Sequence, residues 1–219
     1  MRERRGVRVV VVAGPSGVGK SHLAEVLGWS VLRLDDFYRD GDDPDLPRSS
    51  LGIPDWDDAG SWDAVAAVGS IAELCAAGEA DVPVYDIAAS RRTGTQHLQV
   101  GDRFIAEGLF APVVVAACRD AGLLDAAICL RRHRLVTFGL RLARDLREGR
   151  KSPWVLVRRG WRLKNDDDRV VAEAVAAGCT PMTPRQARRV LRRSPTPRLG
   201  TSSPLFSRRR SDDVPKRGD

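Results

Sequence analysis

Eight residues, Gly14-Pro15-Ser16-Gly17-Val18-Gly19-Lys20-Ser21, limit what this chain can fold into more than anything else in it. They follow the β-branched run from Val7 to Ala13 and lead into helix-forming residues from Lys20 to Leu27. The spacing GxxxxGK[ST] between a strand and a helix is that of a phosphate-binding loop. Its glycines let backbone N–H groups curl around phosphate oxygens, and the helix N-terminus adds the positive end of its dipole. Lys20 supplies a mobile cation and Ser21 a hydroxyl that reaches Mg²⁺. All eight residues are therefore candidate contacts to nucleotide phosphates, and Lys20 is a candidate catalytic group. A continuous apolar strand of this kind is buried on both faces, as in a parallel sheet. The expected fold is α/β, a P-loop NTPase three-layer arrangement with a parallel sheet.

The remaining elements fit alternation of strands and helices. Val31 to Leu34 reads as a short strand that stops at Asp35-Asp36, and the Asp, Pro and Gly of Asp40 to Gly60 predict an exposed loop. Trp62, Val65, Val68, Ile71/Ala72 and Cys75 keep a 3.6-residue period, with Ser61 as the expected N-cap and Gly78 as the stop. Val82 to Tyr85, Phe104 to Ala106 and Ala126 to Leu130 read as extended, and Pro112 to Ala121 as helical. After Arg131 the pattern turns helical and basic, with Leu135, Phe138, Leu142 and Leu146 on one stripe and Arg141, Arg144, Arg147 and Arg150 on another. Trp154 to Ala177 also reads as helix, and Thr183-Pro184 opens a last helix to Arg193. The predicted organisation is one domain over 1–193, with an Arg-rich helical lid at about 131–165 and a disordered basic tail over 194–219.

Charge and cysteines narrow the class. The formal charge is +7, but Arg2 to Arg8 and the stretch from Ser194 to Asp219 each hold +3, so the body is nearly neutral. Within it Asp35 to Asp63 carries ten Asp against two Arg, whereas Arg131 to Arg169 carries thirteen basic against five acidic residues. Such segregation argues against a nucleic-acid face and for a site with Mg²⁺ on one side and phosphates on the other. Cys75, Cys118, Cys129 and Cys179 form no CxxC pair, as expected of reduced thiols in a cytoplasmic protein. The apolar run from Val7 to Ala13 is too short for a signal segment or a membrane span. No feature of the sequence sets an oligomeric state.

Taken in order over about residues 8–151, the motifs resemble the uridine kinase family of P-loop kinases, relatives of phosphoribulokinase and bacterial pantothenate kinase. The matching pieces are Gly14 to Ser21, Leu34-Asp35-Asp36-Phe37-Tyr38-Arg39, Trp56-Asp57-Asp58 with Trp62-Asp63, Pro83-Val84-Tyr85-Asp86, Arg91/Arg92, Ile105 to Phe110, and the Arg-rich stretch Arg141 to Lys151. No NKxD guanine motif is present. The resemblance implies an ATP-dependent, Mg²⁺-using kinase that phosphorylates a hydroxyl of a small metabolite, with a nucleoside the first candidate. It implies that Asp35 accepts the hydroxyl proton and contacts the metal, that Glu107 completes the metal site with Ser21, and that Asp57, Tyr85 and Arg92 touch the acceptor. Arg141, Arg144 and Arg150 would lie on a lid over the phosphates, the first two as catalytic cations.

Each role has a structural rival. Asp35 could cap a turn, Glu107 could pair with an arginine, Tyr85 and Trp62 could be core, and the arginine stripe could be a solvated face. The family's histidine after the Tyr-Asp pair is replaced here by Ser90 or Arg91, which leaves sugar-phosphate or pantothenate-like acceptors open. A reading from another class is an NTP-dependent regulator whose basic tail grips nucleic acid.

Overall fold

A computed structural model of the chain describes residues 6–50, 52–132 and 168–193. Its strands are β1 (Arg8–Ala13), β2 (Val31–Arg33), β3 (Glu79–Asp86), β4 (Arg91–Gln99), β5 (Arg103–Glu107), β6 (Leu124–Leu130) and β7 (Thr180–Met182). The described helices are α1 (Lys20–Leu27), α2 (Ala64–Ala77), α3 (Ala111–Asp120), α4 (168–176) and α5 (Pro184–Arg193). Five strands form a sheet in the order β2-β5-β1-β6-β7, and every pairing in it is parallel.

The valine run explains the layers. Val9, Val10, Val11 and Val12 are 0% exposed, and successive side chains point to opposite faces of the sheet. Val9 and Val11 join a core with Ile71, Leu74, Val114 and Cys118 from α2 and α3. Val10 and Val12 join a second core with Leu23 and Ala24 of α1 and Ala187 and Leu191 of α5. Helices thus cover both faces of a central sheet, giving the expected three-layer α/β fold. Among the described residues no helix is long and apolar enough to cross a membrane.

Several boundaries differ from the sequence reading for definite reasons. Ser61 does not cap α2; its Oγ donates to the Asp58 carbonyl at 2.7 Å inside a short 3-10 turn, Ala59–Ser61. The cap is Asp63, whose side chain accepts from the Ala66 amide at 2.9 Å. Leu34 leaves β2 and starts a 3-10 turn, Leu34–Phe37. Within the loop over 40–60, Leu46 is buried at 4% exposure. β4 pairs antiparallel with β3 in a separate hairpin, yet its exposed, polar sequence lacks the alternation that announces a strand. β7 is three residues long and contains Pro181, which an edge strand tolerates. At α5 the expected start is confirmed by a capping box, with the Gln186 amide donating to Thr183 Oγ1 at 3.3 Å and the Thr183 amide to Gln186 Oε1 at 2.9 Å. The lid arginines and the tail, 194–219, lie outside the described residues.

Candidate active site

β1 lies between β5 and β6, so the chain crosses over in opposite directions on either side of it. In parallel α/β sheets, ligand sites form outside the strands' carboxyl ends at such a switch point. The loops after β1, β2, β5 and β6 all leave the sheet at that end. Gly14 has φ 131°, and a Cβ there would lie 2.5 Å from the Leu130 carbonyl oxygen at the end of β6. Only glycine lets the loop turn so close to its neighbour strand.

Behind the loop, Lys20 Nζ donates to the Gly14 carbonyl at 3.0 Å and stands 3.9 Å from Glu107 Oε2. Ser21 Oγ donates to Glu107 Oε1 at 3.1 Å. Glu107 is the last residue of β5, and the parallel register pairs it with Val12 on one side and Arg33 on the other. A buried strand therefore delivers its carboxylate to the mouth of the loop, paired with Lys20 rather than with an arginine.

Asp35 is brought to the same end. Its Oδ1 accepts the Leu109 amide at 2.9 Å, a residue 74 positions along the chain. Gly108 makes that approach geometrically possible, since a Cβ there would lie 2.7 Å from Asp35 Oδ1. This bond runs between the loops after β2 and β5, so Asp35 does not serve as the cap of its own turn.

Its neighbour has a different task. Asp36 is 4% exposed and accepts the Tyr85 amide at 3.3 Å, with Arg33 Nε 3.7 Å from its other oxygen. Burial raises the Asp36 pKa above the ordinary carboxylate value, and Arg33 and the Tyr85 amide only partly offset this. Asp36 thus ties the 3-10 turn to the β3–β4 hairpin.

The segment that carries the expected acceptor contacts is held by aromatic packing that the sequence reading did not assemble. Tyr38 meets Trp56, Tyr85 and Phe110 at ring separations of 5.7, 5.8 and 5.8 Å. Trp62 is 3% exposed, packs on Phe110 and donates Nε1–H to the Leu34 carbonyl at 2.6 Å, so it is core. Burial first, and the carboxylates of Asp35 and Asp57 next, push the Tyr38 phenol pKa up. Asp57 is exposed.

Tyr85 is 8% exposed and spends its hydroxyl on the Arg39 carbonyl at 3.0 Å. Arg92 donates its amide to Asp40 Oδ1 at 2.7 Å and its guanidinium to Asp63 Oδ2 at 3.4 Å. Arg39, Asp40, Asp63 and Arg92, with Asp42, Asp43 and Pro44, line an open cleft of about 510 Å³. Arg39 in turn pairs with Asp43 at 3.4 Å. Arg141, Arg144 and Arg150 lie outside the described residues. One loop contact had no signal in the sequence reading: Arg132, just past β6, donates Nε–H to the Val18 carbonyl at 2.9 Å.

The donors suit Mg²⁺. Ser21, Asp35 and Glu107 offer hard oxygen atoms only, and Mg²⁺ ordinarily takes one or two carboxylates and completes its shell with phosphates and water. Among the described residues no cluster of three or more His, Cys, Asp or Glu could hold a metal by itself.

No family model and no curated protein matches the chain. Solved structures do. One, provisionally named a fructose transport system kinase from Silicibacter sp. TM1040, aligns with TM-score 0.53 and 18% identity over 82% of this chain and 90% of its own. The YGR205w protein aligns with TM-score 0.50 and 15% identity over 84% and 88%. A structure provisionally named a uridine kinase from Bacillus stearothermophilus aligns with TM-score 0.44 and 20% identity over 62% and 77%. At these identities the first two likenesses concern the fold: the chain is a mostly parallel, three-layer α/β protein carrying a P-loop, built on the same fold as the structure provisionally named a fructose transport system kinase.

Proposed function

We propose that the protein is an ATP-dependent, Mg²⁺-using kinase that transfers the γ-phosphate to a hydroxyl of a small, uncharged metabolite such as a nucleoside. The observation that carries this reading is the convergence of Lys20, Ser21, Glu107 and Asp35 at one end of the sheet.

The loop amides and Lys20 would cradle the phosphates, and Lys20 would exchange its Gly14 carbonyl for the β- and γ-phosphate oxygens. Ser21, Asp35 and Glu107 would hold Mg²⁺, which when bound neutralises charge on the phosphates. Asp35 keeps one oxygen on the Leu109 amide and has the other to accept the proton of the attacking hydroxyl. Phosphoryl transfer depends mainly on positioning and cations, and Arg141, Arg144 and Arg150 are proposed to add positive charge from the lid.

The cleft favours an uncharged acceptor over a sugar phosphate or a pantothenate-like acid. Its lining has four aspartates against two arginines, and both arginines are engaged, Arg39 with Asp43 and Arg92 with Asp63. An anionic acceptor would enter against that charge. Asp57, Tyr85 and Arg92 would shape the acceptor's seat, Tyr85 through its ring and Arg92 through the Asp63 it holds.

The test is a coupled ADP-release assay with matched pairs that differ only in an anionic group: uridine with uridine 5′-phosphate, fructose with fructose 6-phosphate, and pantothenol with pantothenate. ADP release with an uncharged member supports the proposal. Release with the charged members alone would show a kinase of the other acceptor class, and release with none, in a protein that binds Mg·ATP, would refute the kinase reading.

A further inference from the structure

A phosphate cradle works only if its amides point inward, which requires its carbonyls to be held elsewhere. A carbonyl turned into the cradle would face phosphate oxygens with like partial charge. In this loop the carbonyl partners are distinct. The Pro15 carbonyl accepts the Val18 amide at 3.3 Å, and the Gly19 carbonyl accepts the Leu23 amide of α1 at 3.0 Å. The Gly14 carbonyl accepts Lys20 Nζ, and the Val18 carbonyl accepts Arg132 Nε–H at 2.9 Å. The first two partners belong to the loop's own turn and helix. Lys20 would leave Gly14 when phosphates bind. Arg132 comes from 114 residues along the chain.

The end of β6 meets the loop at two places. Leu130 stands against Gly14, and Arg132 stands against Val18 and Gly19, where a Cβ on Gly19 would lie 3.4 Å from the guanidinium. Gly19 already needs its glycine for φ 105°. Val18 is 0% exposed, so its side chain anchors the inner side of the segment while Arg132 fixes the carbonyl on the other.

We propose that Arg132 is a positioning residue of the nucleotide site: its Nε–H holds the Val18 carbonyl outside the phosphate cradle and keeps the adjoining amides turned inward. The inference rests on the reading that this loop binds nucleotide phosphates. It assigns the effect to one donor atom rather than to the guanidinium's charge, and two substitutions separate those roles. Glutamine carries an amide nitrogen at the same number of bonds from Cα as arginine Nε, without the charge. Lysine keeps the charge and has only carbon at that place.

The experiment titrates the full chain, with Mg²⁺, against N-methylanthraniloyl-ATP and N-methylanthraniloyl-ADP. Arg132→Lys is expected to weaken both nucleotides about tenfold, the loss of one hydrogen bond, while Arg132→Gln stays within about threefold of the parent. If Lys preserves affinity and Gln loses it, Arg132 acts by charge and the proposal is overturned. Equal affinities in all three proteins, or equal losses in both variants, overturn it as well. A loss confined to the triphosphate would mean a γ-phosphate contact and would also overturn it. Should Arg132→Lys fail to fold, Arg132→Met, equally without a donor there, repeats the measurement. A parent protein that binds neither nucleotide would instead refute the reading of the loop, and this inference with it.

Discussion

At the loop end of the sheet, Lys20 and Ser21 open α1 just after β1, whose central valines are 0% exposed, and the register of β5 with β1 and β2 fixes the place of Glu107. The proposed acceptor side is mounted on a 3-10 turn, an Asp-rich loop and an exposed hairpin, joined by aromatic edges and single hydrogen bonds to carboxylates. The first region is specified by backbone and burial, and the second by individual side chains. Substitution should therefore alter nucleotide handling only through the few groups that touch phosphate, whereas acceptor handling should respond to distributed packing changes. Asp35 sits at the seam, on the acceptor side's turn but bonded to the loop after β5.

The largest expected effect is at that seam. Asp35→Asn preserves size and the acceptor atom for the Leu109 amide but cannot take a proton. It should lower kcat by roughly 10²–10⁴, leave Mg·ATP affinity within a few-fold and leave the melting temperature unchanged. Steady-state kinetics with the best acceptor, beside a thermal melt, checks it; near-normal turnover would place Asp35 outside the chemistry.

On the phosphate side, Lys20→Ala should cost on the order of 10²–10³ in turnover and weaken ATP binding, because a preorganised cation is lost. Its fold should persist, since the Gly14 carbonyl it releases lies at the open end of the sheet. Unchanged ATP affinity in the folded variant would break the division of labour between the two regions.

A smaller, purely acceptor-side effect is expected from Trp62→Phe. The Leu34 carbonyl would lose its 2.6 Å donor inside the core, at a cost of about 1–3 kcal/mol. For a chain of this size that lowers the melting temperature by a few degrees per kcal/mol. The acceptor KM should rise while ATP affinity holds, and a matching rise in the KM for ATP would show that the two regions are not separable.

Asp36→Asn should do least, and its sign depends on pH. Burial raises the folded-state pKa of Asp36, so its ionised form is disfavoured in the fold. Below about its unfolded value of 3.8 the side chain is neutral in both states, and Asn and Asp should be equally stable. As pH rises through the raised folded value, the parent loses stability that the Asn variant keeps. Thermal melts from pH 3 to pH 7 should show the variant gaining on the parent as pH rises. The opposite trend would mean that Arg33 outweighs burial.

How much of this could be read from the chain follows the same division. β1, the loop and α1 were legible because one β-branched run, three glycines and one Lys-Ser pair report directly on backbone geometry. Asp35 and Glu107 were legible as candidates because each closes a short apolar run in the sequence. The hairpin strand β4 was not, since Arg91 to Gln99 is held by pairing with β3 rather than by an apolar face of its own. Asp63 as the cap of α2 was missed for a related reason: Ser61 is the better-known signal, but its hydroxyl is committed to the Asp58 carbonyl. Tyr85, an acceptor contact by resemblance, turns its hydroxyl to the Arg39 backbone, a bond that depends on tertiary structure and leaves no local trace. Arg132 is the same kind of case, one arginine among thirteen basic residues between Arg131 and Arg169, distinguished only by what it touches.

The central claim, transfer of the γ-phosphate to a metabolite hydroxyl, is tested most directly by following label from [γ-³²P]ATP with Mg²⁺ and the uncharged acceptors uridine, fructose and pantothenol. The expected result is label in an organic phosphate ester, dependent on one of these acceptors and lost in Lys20→Ala. Label released only as inorganic phosphate, stimulated by nucleic acid and no longer stimulated after removal of residues 194–219, would contradict the claim and identify an NTP-hydrolysing regulator instead.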